Sequence, residues 1–182
     1  MTHADATVVP EAALAAADHM LGDALATTTL IEYGDYECPF CVRAEPLTQQ
    51  LIDASGTRLR FVFRHFPLVE MHLHAELAAE AAEAAAAQGR FWAMHHKLFT
   101  QTHHLSLPGL TACAESIGLE MNRFKAEMAD RIYTQRVQEH RRAAVQSGVR
   151  TTPTYFLNGR VIDVSDGFDR LDHAVRAALP GR

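Results

Sequence analysis

Two cysteines separated by two residues, in the segment Cys38-Pro39-Phe40-Cys41, are the side chains best suited to chemistry in this chain. Cysteines at this spacing can interconvert between two thiols and one disulfide. A short apolar run, Thr29 to Tyr33, precedes them, and a helical pattern follows. We therefore predict a strand, a turn and a helix that together carry a redox-active dithiol.

The start of the predicted helix makes the two thiols unequal. Cys38 is expected at the N-cap, where unpaired backbone N–H groups and the positive end of the helix dipole favour a thiolate. Pro39 suits the first helical position because its missing N–H is not needed there. Cys41 lies one turn further on. Cys38 is thus predicted to be the exposed, acidic nucleophile and Cys41 the shielded resolving thiol.

Two other roles use the same cysteine spacing. A zinc site needs a second pair of ligands, and the third cysteine, Cys113, is isolated in the sequence and is expected to be a small buried hydrophobe. His95 and His96 are predicted to point to different sides of a helix, and His72 and His74 have the same difficulty as a ligand pair. A structural disulfide is the second alternative, although so short a ring stabilises a fold little. The pattern favours redox chemistry without metal or cofactor.

Composition and charge narrow the class of protein. The chain has 182 residues, of which 48% are hydrophobic and 21% charged, as expected for one globular domain with a full core. A net charge of −5 argues against a nucleic-acid partner. No run of 18 apolar residues is present, so no membrane span is predicted. The N-terminus does not resemble a secretory signal, which predicts a cytoplasmic location, or a periplasmic one for a chain from which a signal had been trimmed.

The remaining patterns predict an α/β fold with helices inserted in its middle. Residues 1–27 form an Ala-rich lead-in that is expected to be helical or partly disordered, with a short element between Val8 and Leu21. Residues 28–182 form one domain that begins with a strand, a helix and a strand. About residues 69–147 then form a block of five helices, the fourth of them capped by Asn122.

A hairpin and a last helix complete the predicted domain. Thr154 to Leu157 has strand character, and Asn158-Gly159 is a strong signal for a two-residue hairpin turn. Val161-Ile162 supplies the partner strand, and a helix follows over about residues 168–179. The order of elements is therefore β-α-β, five helices, β-β-α.

At this level of detail the chain resembles the DsbA-like branch of the thioredoxin superfamily. The match lies in segments spread from residue 28 nearly to the end: Glu32 to Cys41, Pro46, Phe91-Trp92-Ala93-Met94-His95, and Gly148 to Gly159. The resemblance implies a thioredoxin-like fold, a cis bond between Thr152 and Pro153 opposite the cysteines, and pairing of the Thr152 backbone with an extended substrate. It also implies that Glu32 lies beneath Cys41 and relays a proton to or from it.

One departure from the family bears on the direction of electron flow. Phe40 stands where the strongest periplasmic oxidants of this family have a histidine, and it offers apolar contact but no positive charge. Asp35 and Glu37 flank Cys38 and are expected to oppose its thiolate. The sequence therefore predicts a thiol–disulfide oxidoreductase that acts more as a reductase or isomerase than as a strong oxidase.

Two alternative function classes use the same fold. A glutathione-dependent isomerase typically keeps a serine at the first active position, whereas this chain has Cys38. A non-catalytic metal-binding module would not need Cys38, Cys41 and Pro153 together. The expected partners are proteins or small molecules that carry thiols or disulfides, with a thioredoxin- or glutathione-type electron donor.

Overall fold

A computed structural model of the chain describes Leu14 and residues 18–181. Most of the expected lead-in lies outside the described residues. This includes the Val8 to Leu21 element up to residue 17, except for Leu14. Twelve helices and strands follow in order: β1 His19–Gly22, β2 Thr28–Gly34, α1 Pro39–Ser55, β3 Leu59–His65, α2 Ala75–Ala86, α3 Phe91–Thr100, α4 Leu107–Ser116, α5 Met121–Ala129, α6 Thr134–Gln146, β4 Thr154–Leu157, β5 Arg160–Ile162 and α7 Asp169–Ala178. This is the predicted α/β order with one additional strand, β1.

The five strands form one mixed sheet in the order β1-β3-β2-β4-β5. The central strand, β2, is parallel to β3 and antiparallel to β4, and β1 and β5 close the two edges as antiparallel strands. All seven residues of β2 are buried. The dithiol therefore follows directly from the most enclosed strand of the sheet, which gives it a rigid base.

Side chains alternate between the two faces of the sheet, as the pleat of a strand requires. On β2, Leu30 belongs to the larger core cluster, which includes the cysteine pair and the helical insertion. Ile31 and Tyr33 belong to a second cluster that packs against Ala144 of α6. Glu32 follows the same alternation and so shares the face of Leu30, on the side of α1.

The predicted helical insertion lies between β3 and β4 and is organised around α2, which contacts α3, α4, α5 and α6. Nine of the twelve residues of α2 are buried, among them Glu80 and Glu83. Alanine at most of these positions lets the neighbouring helices approach closely while keeping a strong helix former in place. In the part of the chain that the structure describes, no helix combines the length and the apolar character needed to cross a bilayer.

Two local predictions about the fold are wrong. The end of the lead-in is a strand, not a helix: β1 pairs with β3 at the edge of the sheet, a long-range contact that local periodicity does not report. Asn122 does not cap α5. The cap is Glu120, whose carboxylate accepts hydrogen bonds from the backbone N–H groups of Asn122 and Arg123 at 2.9 and 2.7 Å.

Candidate active site

Cys38 is the N-cap residue of α1, and Pro39 opens the helix, as the sequence predicts. The Cys38 carbonyl accepts the first helical hydrogen bond, from the Val42 N–H at 3.0 Å, and the Cys38 N–H donates to the Asp35 carbonyl at 3.2 Å. The Cys38 side chain makes no capping hydrogen bond of its own. Its sulfur therefore sits at the helix start, where the free N–H groups favour a negative charge.

The two thiols of the motif differ strongly in acidity. A hydrogen bond from the Cys41 thiol lowers the pKa of Cys38 to about 5. Burial opposes this change, whereas the Thr152 side chain and the N–H groups of Cys41 and Phe40 contribute to it. Burial raises the pKa of Cys41 well above its usual value, and the neighbouring Cys38 and Glu32 raise it further. At neutral pH the pair is thus one thiolate and one thiol, the arrangement that nucleophilic attack requires.

The expectation that Cys38 is exposed is wrong, because only 3% of its surface is accessible. The loop before β4 packs on it, and the Cys38 sulfur lies 3.4 Å from the carbonyl oxygen of Thr152, to which it donates when it is protonated. The two residues between the cysteines are exposed instead, and Phe40 has 61% of its surface accessible. A substrate must therefore reach the sulfur along the surface between Phe40 and the Thr152 loop.

That surface is a groove beside the cysteine pair. The peptide bond between Thr152 and Pro153 is cis. Both residues line a cavity of about 470 Å³, whose other walls are Phe40 and residues 161–165 at the end of β5 and in the loop after it. A second cavity of about 260 Å³ continues past Phe40 and Pro153 to Leu47 and Phe168. Thr152 and Pro153, to which the family resemblance assigns substrate contact, thus lie in the wall of this groove, and their contact with substrate stays a prediction.

Glu32 lies on the same side of the sheet as Cys41 and is almost completely buried. Among the described residues neither of its carboxylate oxygens makes a hydrogen bond of ordinary geometry, although the Tyr155 side chain lies near enough to lower its pKa in part. Burial, together with the negative charge of Glu45, raises the pKa of Glu32 well above its usual value. A buried carboxyl with so few polar partners is costly to ionise, so its protonated form is favoured more than that of a surface glutamate.

The two acids beside Cys38 are paired with histidines, which sequence reasoning missed. The Asp35 carboxylate contacts His72 Nδ1 at 2.7 Å and accepts from the Leu68 N–H at 2.8 Å. The Glu37 carboxylate contacts His74 Nδ1 at 3.2 Å and accepts a hydrogen bond from the backbone N–H of His74 at 2.7 Å. The expected repulsion of the thiolate is therefore offset, because the loop from residue 66 to residue 74 folds back over the start of α1.

His72 also responds to the thiolate itself. Partial burial lowers its pKa, but the hydrogen bond to Asp35 outweighs this and raises the pKa of His72 above the usual value, with the Cys38 thiolate adding to the rise. A protonated His72 supplies part of the positive charge that Phe40 does not provide. In the sequence, the only indication of a positive group near Cys38 was the pair of acids, Asp35 and Glu37, close to the motif.

The prediction for the adjacent histidines is also wrong. His95 Nε2 and His96 Nδ1 lie 3.4 and 3.1 Å from the two oxygens of one carboxylate, Glu45.

Cys113 is buried in the insertion, its thiol 3.4 Å from Gln101 Oε1, and burial raises its pKa. Cys113 thus has none of the features that activate Cys38.

Comparison with known proteins places these features in a family. A thioredoxin family model matches residues 15–177. A Na⁺/H⁺ antiporter NhaA 1 of Salinispora arenicola is 42% identical over 164 residues, 90% of this chain and 25% of that protein. A Na⁺/H⁺ antiporter NhaA 3 of Salinispora tropica is 42% identical over 162 residues. The chain spans about a quarter of the length of these relatives.

Solved structures agree with the family assignment. A thioredoxin-like oxidoreductase from Silicibacter pomeroyi is 28% identical, with a TM-score of 0.73 over 88% of this chain and 94% of that one. BdbD from Bacillus subtilis is 23% identical, with a TM-score of 0.77 over 89% and 92% of the two chains. The thiol-disulfide exchange protein α-DsbA2 from Wolbachia pipientis is 20% identical, with a TM-score of 0.75 over 87% and 85%.

The chain belongs to the thioredoxin family. It shares the fold of these solved structures, with a helical insertion between β3 and β4.

Proposed function

We propose that this protein exchanges disulfides through Cys38 as the nucleophile and Cys41 as the resolving thiol. The observation that carries the proposal is the position of Cys38 at the start of α1 beside Cys41, which lowers the pKa of Cys38 to about 5 while burial raises that of Cys41. The Cys38 thiolate attacks a substrate disulfide, its S–S bond breaks, and the leaving sulfur takes a proton. A mixed disulfide then joins Cys38 to the substrate.

The second half of the reaction uses Cys41. Its thiol loses a proton and attacks the Cys38 sulfur, which releases the other substrate sulfur as a thiol. Two electrons have then passed from the protein to the substrate, and Cys38 and Cys41 share a disulfide. A thioredoxin- or glutathione-type donor returns the pair to the dithiol state.

Glu32 is the group that supports the proton transfer of Cys41. Its buried carboxyl raises the pKa of Cys41, and its own pKa is raised by burial. A carboxyl whose pKa lies closer to neutral takes and returns protons more readily than an ordinary surface glutamate. Its oxygens make no hydrogen bond of ordinary geometry among the described residues, which leaves them available for this role.

Glu32→Gln is expected to slow resolution while leaving the first attack unchanged. Glutamine keeps the shape of the side chain but cannot accept the Cys41 proton, so the mixed disulfide should persist roughly 100-fold longer, at the low end of general acid–base effects. Acid quenching followed by mass spectrometry measures the lifetime of this intermediate. A variant that resolves at the wild-type rate would remove Glu32 from the mechanism.

The groove points to an extended peptide as the substrate. Phe40 and Val161 are exposed apolar residues at its sides, with 61% and 51% of their surfaces accessible. Among the contacts described, no backbone N–H donates to the Thr152 carbonyl, and its one partner is the Cys38 thiol. This carbonyl is therefore suited to receive an N–H of an extended substrate. We therefore propose protein disulfides, more than small molecules, as the substrate class.

The acidity of Cys38 supports an intermediate redox position. A pKa of about 5 lies between roughly 7 for thioredoxin and roughly 3.5 for DsbA. A less stabilised thiolate means a less oxidising pair. We propose a reductase or isomerase role in a reducing cytoplasm, and the cytoplasmic location stays a prediction.

The reduction potential tests this direction. Equilibration with reduced and oxidised glutathione is expected to give a value above roughly −270 mV and well below roughly −120 mV. A value near −120 mV would instead assign the protein to disulfide formation. Ion antiport is not carried over from the relatives, because the matched part is about a quarter of each of them.

A further inference from the structure

We propose that Glu45, His95 and His96 form a binding site for a divalent transition-metal ion such as Zn²⁺, at the contact between α1 and α3. One ligand atom from each of these side chains lies within 4.8 Å of the other two. Two imidazoles and one carboxylate are a donor set that Zn²⁺ uses in proteins, with a fourth position left for water.

The spacing of the donor atoms is close to the spacing that a bound ion imposes on its ligands. Zinc bonds of roughly 2.0–2.1 Å at tetrahedral angles place neighbouring ligand atoms about 3.3–3.4 Å apart. His95 Nε2 is 3.4 Å from Glu45 Oε2, and His96 Nδ1 is 3.1 Å from Glu45 Oε1. The His96 contact is also within hydrogen-bond range, whereas the His95 contact is longer than the roughly 2.7–2.9 Å of a charge-assisted hydrogen bond.

The surroundings hold one ligand in place and leave another accessible. His95 is buried, and its other ring nitrogen, Nδ1, lies 3.1 Å from the Tyr36 hydroxyl. A partner of this kind on the far nitrogen fixes the tautomer and orientation of a metal-binding histidine. The His96 side chain is about half exposed, at 47%, so an ion can enter from solvent.

A second group of metal-binding side chains serves as a contrast. His19 and His65 lie 2.8 and 2.9 Å from one oxygen of Glu83, and Arg136 lies 2.6 Å from the other. These are hydrogen-bond distances, and the guanidinium already supplies a positive charge to the carboxylate. The Glu83 group therefore has no need of a metal ion, whereas no arginine or lysine pairs with Glu45 among the described ion pairs.

The test uses the full chain carrying Cys38→Ser and Cys41→Ser, so that active-site thiolates cannot bind the metal and the result does not depend on the proposed redox function. Zn²⁺ is titrated calorimetrically, and Co²⁺ is used as a spectroscopic probe. We expect one equivalent of Zn²⁺ to bind, and Co²⁺ to give the visible bands of a tetrahedral site without sulfur-to-metal charge transfer.

Three further substitutions locate the site. Loss of an outer partner alone costs roughly 10- to 100-fold in metal affinity, so Tyr36→Phe should weaken Zn²⁺ binding within that range and His96→Gln by more than about 100-fold. His103→Gln, which changes another exposed histidine, should leave it unchanged. Any of three results would overturn the proposal: no Zn²⁺ binding, binding by His96→Gln equal to that of the unsubstituted chain, or loss of binding in His19→Gln while His96→Gln still binds.

Discussion

The Cys41→Ser variant is expected to stall as a covalent mixed disulfide between Cys38 and its substrate. The first attack needs only the Cys38 thiolate, which the helix start still favours, whereas release of the substrate needs a second thiol. Turnover of a disulfide substrate should therefore fall to the uncatalysed rate, while an adduct accumulates. Mass spectrometry of the acid-quenched reaction identifies the modified cysteine.

Two matched variants complete this experiment. Cys38→Ser should form no adduct, because the remaining Cys41 is buried and its pKa is raised. Cys113→Ser should turn over at the wild-type rate, because the Cys113 thiol is buried away from the motif and its pKa is also raised. Adducts found mainly on Cys41 in the Cys38→Ser protein would reverse the two roles.

The thiolate of Cys38 is expected to persist into mildly acidic solution. With a pKa of about 5, roughly 99% of the thiol is ionised at pH 7, compared with roughly 3% for an ordinary cysteine. The rate of alkylation by iodoacetamide should thus fall only below about pH 6, with a midpoint near 5. A midpoint near 8.5, the ordinary value, would contradict the site geometry.

The same ionisation links the stability of the reduced protein to pH. The pKa of Cys38 is lowered in the folded state, so its contribution to the free energy of unfolding is complete above the unfolded pKa and is lost as the pH falls through about 5. At pH 7 it is on the order of 2 kcal/mol. Denaturant unfolding of reduced wild type and Cys38→Ser should differ by this order at pH 7 and converge near pH 5.

His72 provides a matched control for the titration. The charged groups around it are Asp35, Glu37 and Cys38, so His72→Gln leaves the Asp35 carboxylate without its positive partner. The Cys38 midpoint should then rise, while His103→Gln leaves it unchanged. Equal midpoints in the two variants would show that the backbone N–H groups and Cys41 account for the acidity alone.

Local sequence signals were sufficient for the elements that carry the dithiol. Pro39 at the first helical position identified the start of α1. The Asn158-Gly159 turn was equally direct, because both residues adopt positive φ, 47° and 78°. Asn158 also accepts from and donates to Thr29 of β2, so a local turn signal fixed part of the sheet.

Apart from the cap of α5, the errors concern contacts between residues far apart in the chain. The burial of Cys38 depends on Thr152, 114 residues away, and the neutralisation of Asp35 depends on His72, 37 residues away. His95 and His96 share Glu45 because α1 passes beside both of them, which helical periodicity within α3 does not reveal. Composition and periodicity report one element at a time, whereas these contacts depend on packing between elements.

The most direct test of the central claim is catalysed reduction of insulin disulfides by dithiothreitol, followed by turbidity. The wild-type protein and Cys113→Ser should accelerate precipitation of the insulin B chain equally, and Cys38→Ser should give the rate of dithiothreitol alone. Catalysis that survives in Cys38→Ser, or wild-type protein that gives no acceleration while its Cys38 reacts with iodoacetamide at pH 6, would contradict disulfide exchange through this dithiol.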